Sequence, residues 1–186
     1  MDNRRQEKFY LDFLRKNQPL PSDDDISEEE LTIYHEAIMF FKENPNKLCI
    51  PLFLNSFGYQ SGFGLYQLVD EVLCQYEMDD VLEHLISALS NEKGSVQMWA
   101  ANLATDYPSV SLLPHMERLL NIETPSELKD NDKYIQIADI KVSILSSLTF
   151  FEFPEVNSMI KKYSEKESDL KMLKIASELF QNILQN

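Results

Sequence analysis

Three of the four glycines in this 186-residue chain lie close together, at Gly58, Gly62 and Gly64. Such a cluster could let backbone amides approach and hold a phosphate group. The segment lacks the Lys-Ser/Thr ending of a nucleotide-binding P-loop, follows no predicted strand and lies among carboxylates. We therefore predict that residues 58–64 form a flexible loop between two helices.

The histidines and cysteines are the other candidates for metal binding or nucleophilic catalysis. No HExxH motif or paired-cysteine spacing accompanies His35, His84 or His115, so we expect structural roles for all three. Cys49 has no cation near it in sequence and Cys74 is surrounded by acidic residues, which disfavours a reactive thiolate at either position. No nucleophile elbow frames a serine, and adjacent carboxylates on a helix point in different directions. The sequence favours a protein that is not an enzyme and holds no cofactor or metal.

The charge balance indicates which partners the chain could bind. Asp and Glu total 31 against 17 Lys and Arg, which gives a net charge of −14 at pH 7. Such a surface repels nucleic acid and favours a neutral or basic partner. Two cysteines are too few for the disulfide framework of a small secreted domain, and no signal-peptide or membrane-span pattern occurs. We expect a cytoplasmic protein that does not contact a membrane.

The elements that would position these residues are helices. Glycine is scarce and Leu, Ile, Glu, Lys and Ala recur at helical spacing, which predicts an all-α fold in one domain over the whole chain. Residues 1–18 are expected to hold a basic amphipathic helix, residues 19–27 a linker and residues 28–186 the repeats. Ser27 and Glu30 form a capping box that marks the start of the second helix.

A two-helix pattern recurs along the chain. His84 and His115 are 31 residues apart, and Leu89 and Leu120 keep the same offset. A period of this length is typical of a solenoid, in which each helix pair buries its apolar face against its neighbours. The pattern, interrupted by a polar insertion, predicts helix pairs at 29–43 with 47–57, 64–76 with 80–90, 95–105 with 110–121 and 134–149 with 155–163, then a helix at 167–184.

One part of this pattern resembles a HEAT repeat. Residues 81–89 are similar to its aliphatic outer helix, residues 91–95 to its polar turn, and residues 96–104 to its inner helix with a valine and an alanine pair. The resemblance covers residues 64–121 and implies a short right-handed α-solenoid of HEAT-like helix pairs. HEAT inner helices often carry arginine where Gln97 stands, which favours a compact stack over a long superhelix.

A second resemblance concerns function. Residues 64–73, together with residues 98–101, are similar to small bacterial HEAT-like immunity proteins of polymorphic toxin systems. This implies a monomer that binds and neutralises a toxin domain, and the acidic charge predicts that the domain is basic. The alternatives are a HEAT-like scaffold or adaptor for another protein, and a HEAT-like DNA glycosylase or chromophore lyase. The glycosylase would need a basic groove, which this composition does not favour.

The candidate contact residues follow from the HEAT resemblance, because inner helices line the concave surface of a HEAT stack. Aromatic rings supply buried area, and carboxylates select a basic partner and speed encounter. Lys93 is the only Lys or Arg between residues 48 and 117, so the acidic residues there are expected to be uncompensated. Tyr66 is predicted to be exposed, whereas Trp99 could lie at the surface or in the core. The predicted partner-binding residues are Tyr59, Phe63, Tyr66, Asp70, Glu71, Asp79, Asp80, Gln97, Trp99 and Asn102.

Overall fold

A computed structural model describes residues 2–123 and 132–184, and within those ranges every regular element is helical. The all-α prediction is therefore confirmed for this part of the chain. No helix in it is long and apolar enough to cross a membrane. Short 3-10 helices lie at Leu65–Leu68 and Val110–Leu112. The α-helices are α1 (Asn3–Lys16), α2 (Glu28–Glu43), α3 (Cys49–Leu54), α4 (Val69–Leu73), α5 (Met78–Leu89), α6 (Gly94–Leu103), α7 (Leu113–Leu120), α8 (Asp132–Leu148), α9 (Pro154–Lys166), α10 (Leu170–Leu179) and α11 (Gln181–Leu184).

The chain forms two compact units, Met1–Ala88 and Leu89–Asn186. In the first unit, α1 packs against α2 and α3, and α2 packs against α4 and the first 3-10 helix. In the second unit, α8 packs against α6, α7 and α10, while α9 contacts α7, α10 and α11. The interpretation of the chain as one domain stays a prediction.

The core of the first unit is aromatic. Tyr34 and Phe41 lie on the buried face of α2, with Phe53 of α3 between them. Their rings meet edge-to-face at centroid distances of 5.9 Å for Tyr34 with Phe53 and 6.0 Å for Phe41 with Phe53. This geometry is favourable because the positive ring edge meets the negative ring face.

The capping box at the start of α2 is confirmed. The Ser27 hydroxyl accepts the backbone N–H of Glu30, and the Glu30 carboxylate accepts the backbone N–H of Ser27. These reciprocal bonds satisfy amides that the helix itself leaves without partners. The charged form of Glu30 is thereby favoured, and hydrogen bonds from Ser27 lower the pKa of its carboxyl group.

Three predicted helices are divided in the structure, those at 64–76, 110–121 and 167–184. The expected helix at 64–76 begins as a 3-10 turn after Gly64, whose φ of 89° is left-handed, and α4 ends at Leu73. The expected helix at 167–184 begins only at Leu170, because the Asp169 carboxylate caps it by accepting the amides of Lys171 and Met172. Hydrophobic spacing marked the helical regions, whereas caps and left-handed residues set their ends.

The second unit depends on small residues where α6 meets α8. Ala100 and Ala101 of α6 and Ser147 of α8 are buried, and their size lets the two helices approach closely. The Ser147 hydroxyl donates a hydrogen bond to the Ala101 carbonyl, and the Thr105 hydroxyl lies 3.4 Å from the same serine oxygen. The alanine pair of the resemblance therefore serves helix packing within this unit.

Candidate functional site

The loop after α3 closes around the carboxylate of Asp23. The Gly62 amide donates to Oδ1 at 2.8 Å, and the Ser61 and Phe63 amides donate to Oδ2 at 3.4 and 3.3 Å. In return the backbone N–H of Asp23 donates to the Gln60 side chain at 2.8 Å. Successive amides thus form an anion-binding concavity, and its anion is a carboxylate of the same chain. Residues 58–64 form a loop between helices, as predicted, and these hydrogen bonds attach it to Asp23.

Residues 19–27 differ from the predicted linker. Leu20 is buried, and its backbone N–H donates to the carbonyl of Ser56 at 2.9 Å. The amides of Asp25 and Ile26 both donate to the Ser22 carbonyl, which builds a compact turn beside Asp23. The segment is therefore part of the packed structure of the first unit, and it supplies the carboxylate that holds the 58–64 loop.

Gly58 allows these two segments to approach each other. A Cβ atom at this position would lie 2.5 Å from the Leu20 carbonyl oxygen and 2.8 Å from that of Pro21. These contacts are shorter than van der Waals separation, and backbone atoms cannot rotate away as a side chain can. Gly58 is needed for this close packing.

Gly58→Ala is expected to lower the free energy of unfolding by about 1–3 kcal/mol, because the new methyl group forces the two segments apart. Urea denaturation followed by circular dichroism measures the change. Gly64→Ala tests backbone strain without overlap, since its Cβ would meet only Gln67, at 3.8 Å, while its φ of 89° is unfavourable for alanine. A Gly58 variant as stable as the wild type would contradict the close packing.

The path of the loop places some of the predicted aromatic residues at the surface and one in the core. Phe63 is 66% exposed and Tyr59 is also exposed, which the sequence left open. Tyr66 is only 1% exposed, so the prediction that it is exposed is wrong. Its ring packs edge-to-face on Tyr34 and Phe57, and its hydroxyl accepts the Gly58 amide at 3.0 Å. Burial, with a further contribution from the charge of Asp23, raises the pKa of Tyr66 to about 12.

Two of the predicted acidic contacts are already paired. Glu71 forms an ion pair with Lys42, and Asp80 forms one with Lys47 at 2.7 Å. Both lysines lie outside the stretch that appeared uncompensated in the sequence. Among the other predicted acids, Asp79 is exposed on α5 and Asp70 is half-buried on α4.

The three remaining predicted residues lie on α6 in the second unit. Gln97 is only 8% exposed, and its side-chain amide donates to the Asn91 carbonyl at 2.5 Å. It joins α6 to the preceding turn and leaves little of its side chain for the predicted contact with a partner. Trp99 is half-buried and Asn102 is exposed.

Comparison with known proteins does not narrow the possible functions of this chain. No family model matches this sequence, and searches among curated proteins and among solved structures return no match.

Two of the side chains with reactive chemistry, His115 and Cys49, are held in structural contacts. His115 Nδ1 lies 3.0 Å from the Ser90 hydroxyl, and Cys49 is buried with its sulfur 3.5 Å from the Tyr76 hydroxyl. Burial raises the pKa of the Cys49 thiol to about 11, which disfavours the thiolate. Within residues 2–123 and 132–184, no group of three or more His, Cys, Asp or Glu side chains is placed to hold a metal ion.

A buried ion pair stands out in the second unit. Lys141 Nζ lies 2.5 Å from Glu167 Oε2, and the two side chains are only 2% and 4% exposed. The lysine also lies 5.6 Å from the ring centroid of Tyr163. Burial raises the pKa of the Glu167 carboxyl, but hydrogen bonds from Lys141 and from the Asp169 amide outweigh burial, and the net shift is downward. The pair joins α8 to the segment after α9.

Asp23 is the site residue that sequence reasoning missed. It lies in a Pro-Leu-Pro-Ser-Asp-Asp-Asp run, which is typical of a turn, and it is 39 residues from Gly62. The only available signals were an aspartate-rich turn and a glycine-rich loop with several amides to satisfy. Neither signal indicates that the two segments meet.

Proposed function

We propose that the chain is a non-catalytic protein-binding module, specifically a bacterial immunity protein that binds and neutralises a cognate, basic toxin domain. It would act in the cytoplasm and be monomeric when free. The observation that carries this proposal is the acidic surface of the first unit beside the exposed aromatic side chains of the 58–64 loop.

The charge of this surface is one-sided. Between Asn17 and Phe41 the chain contains no Lys or Arg, and the exposed acids there include Asp24, Asp25 and Glu29. Salt bridges are found at Glu71 and Asp80 but none involves these three acids within the described part of the chain. An uncompensated acidic surface attracts a basic protein and raises its rate of association.

We further propose that the helices form a short, right-handed HEAT-like solenoid. Alternate helices pack on each other within each unit: α1 on α3 and α2 on α4 in the first, and α6 on α8 on α10 with α7 on α9 on α11 in the second. This alternation is what stacked helix pairs produce, because each helix contacts its counterpart in the next pair. It supports the proposal without depending on any relation between the two units.

A basic toxin domain suits this surface for a physical reason. A toxin that acts on nucleic acid holds its substrate with clustered positive charge. An acidic inhibitor is attracted to the same cluster and competes directly with the substrate. Inhibition then requires occupancy of the basic surface, without any reaction carried out by the inhibitor.

The test is co-expression with the C-terminal region of the polypeptide encoded next to this gene. We expect that region to arrest growth, this chain to restore growth, and the purified pair to form a complex whose affinity falls as salt rises. No complex, or an affinity insensitive to salt, would overturn the proposal. A complex without growth arrest would instead favour the adaptor role.

Charge reversal at single positions tests whether residues 17–41 form the interface with the partner. Asp24→Lys is expected to slow association about 3- to 10-fold at low salt, with little change in dissociation, because a charge at the rim of an interface acts mainly on encounter. Glu152→Lys, the same charge change at an exposed position in the second unit, is the control. Stopped-flow or surface-plasmon-resonance kinetics measure both variants, and equal effects would argue against an interface at residues 17–41.

A further inference from the structure

We infer that the 58–64 loop is a preorganised aromatic anchor, in which Asp23 holds the backbone so that Phe63 enters an apolar pocket on the basic protein partner. This inference rests on the proposed function and deepens it, because it names the side chain that makes the central contact. It also gives Asp23 a role as a positioning residue.

The conformation of Phe63 is the first observation. Its φ of 52° is left-handed, and its side chain is 66% exposed. Left-handed backbone costs a bulky residue energy, and such conformations persist only where surrounding contacts enforce them. Gln60 also has a positive φ, of 69°. The chain thus maintains an unfavourable backbone conformation at a residue whose aromatic side chain stays largely exposed to solvent.

The contacts that enforce the conformation are the second observation. The Asp23 carboxylate accepts three successive amides, from Ser61, Gly62 and Phe63. The Ser61 carbonyl accepts the amides of Gly64 and Tyr66, at 3.1 and 3.3 Å. The loop is therefore fixed both to the acidic turn and to the start of the following 3-10 helix.

Close packing beneath the loop adds to these hydrogen bonds. Gly62 has a left-handed φ of 55°, and a Cβ atom there would lie 2.7 Å from Cε1 of the buried Tyr66 ring. The loop therefore rests directly on the aromatic core. A loop that is already ordered loses little conformational entropy on binding, so more of the contact energy appears as affinity.

The charge around the ring identifies the partner class. Asp24 and Asp25 are exposed immediately next to Asp23, so the anchor has an acidic rim. An aromatic side chain with an acidic rim is complementary to an apolar pocket bordered by Lys or Arg. Nucleic acid, an anionic membrane or a second copy of this chain would be repelled by the same rim.

Removal of the ring tests the anchor. Phe63→Ala is expected to weaken binding to the neighbour-encoded toxin domain by about 30-fold or more, which is the effect of losing an interface hot spot. Phe9→Ala is the matched control, since Phe9 is an exposed phenylalanine on α1. Isothermal titration calorimetry measures both. If the toxin complex forms and Phe63→Ala binds like the wild type, the anchor is overturned while the proposed function stands.

Removal of the carboxylate tests the positioning role. Asp23→Ala is expected to weaken binding about 10-fold by releasing the loop. Asp24→Ala removes the same charge from an exposed neighbour, and Asp23→Asn keeps an oxygen that can accept the Gly62 amide. We expect both controls to bind more tightly than Asp23→Ala. Equal losses for Asp23→Ala and Asp24→Ala would mean that Asp23 acts only through its charge.

Amide hydrogen exchange tests the loop without any partner. The Gly62 and Phe63 amides should be protected in the free wild-type protein and should exchange rapidly in Asp23→Ala. Asp23→Asn should keep protection at Gly62 and lose it at Phe63, because the side-chain nitrogen of asparagine cannot accept a hydrogen bond. Rapid exchange in the wild type would overturn the positioning role. Failure of any complex to form would overturn the proposed function and the partner contact together, whereas the exchange result decides the loop independently.

Discussion

Glu167→Gln is expected to lower the free energy of unfolding of the second unit by about 3–5 kcal/mol, because it removes one charge from a buried ion pair. Glu167 also accepts the amides of Ser168 and Asp169, each at 2.9 Å, so it organises the turn that leads to α10. The expected loss of stability is therefore larger than the contribution of a surface salt bridge, which is at most about 1 kcal/mol.

Urea denaturation followed by Trp99 fluorescence measures this effect. Trp99 is the only tryptophan of the chain and lies on α6 of the second unit, so its signal reports unfolding there. Glu165→Gln is the matched control, because that carboxylate is exposed; its effect should stay within about 0.5 kcal/mol. A Glu167 variant as stable as this control would show that the ion pair does not contribute to the free energy of unfolding.

Replacing both Lys141 and Glu167 distinguishes two effects on the free energy of unfolding. One is the loss caused by removing a single charge, and the other is the contribution of the intact ion pair. Lys141→Met combined with Glu167→Leu is expected to be much less destabilising than Glu167→Gln alone, since no buried charge remains. A double variant that is as unstable as the single one would indicate that the hydrogen bonds of Glu167 to Ser168 and Asp169 dominate.

The same pair predicts a dependence on pH. The pKa of Glu167 is lowered in the folded protein, so its stabilising contribution is present above the unfolded-state pKa of about 4.3 and is lost as pH falls through the lower folded-state value. The difference in stability between the wild type and Glu167→Gln should therefore narrow below about pH 4. A difference that stays constant into acid would contradict the ion pair.

Tyr66→Ala is expected to lower the free energy of unfolding of the first unit by about 3–5 kcal/mol, because it deletes a fully buried ring from the aromatic core. The ring lies 5.9 Å from that of Tyr34 and 5.3 Å from that of Phe57, and its hydroxyl satisfies the buried Gly58 amide. Tyr66→Phe keeps the ring and removes only that acceptor, so it should cost about 1–3 kcal/mol.

Phe63→Ala is the control for Tyr66→Ala, because the two aromatic residues are three positions apart and have opposite burial. We expect Phe63→Ala to change stability by less than about 0.5 kcal/mol. Urea denaturation followed by circular dichroism distinguishes the two variants. If Phe63→Ala were as destabilising as Tyr66→Ala, the ring would be part of the core and could not serve as an exposed anchor.

The contrast between Tyr66 and Phe63 explains why the site residues were only partly predictable. Sequence reasoning placed both rings at a binding surface, because aromatic residues beside a glycine cluster carry no pattern that separates core from surface. Gly62 and Phe63 adopt left-handed backbone, which turns successive side chains out of helical register. Exposure here depends on the path of the loop, and that path depends on Asp23.

The acidic residues are a second example of site properties that were only partly predictable from sequence. Glu71 and Asp80 appeared uncompensated because their nearest lysines in sequence lie far away, yet Lys42 and Lys47 reach them in the folded chain. By contrast, Asp24 and Asp25 were assigned to a linker and lie at the surface proposed to bind a partner. Composition predicts a basic partner but cannot show which carboxylates would be available to it.

Local sequence predicts the helical class, the approximate position of most helices and the capping box of Ser27 and Glu30, because these depend on residues within a few positions of each other. The tertiary structure alone decided the burial of Tyr66 and Gln97, and the closure of the 58–64 loop on Asp23. These features join segments that are far apart in the chain, so local propensity and spacing carry no information about them.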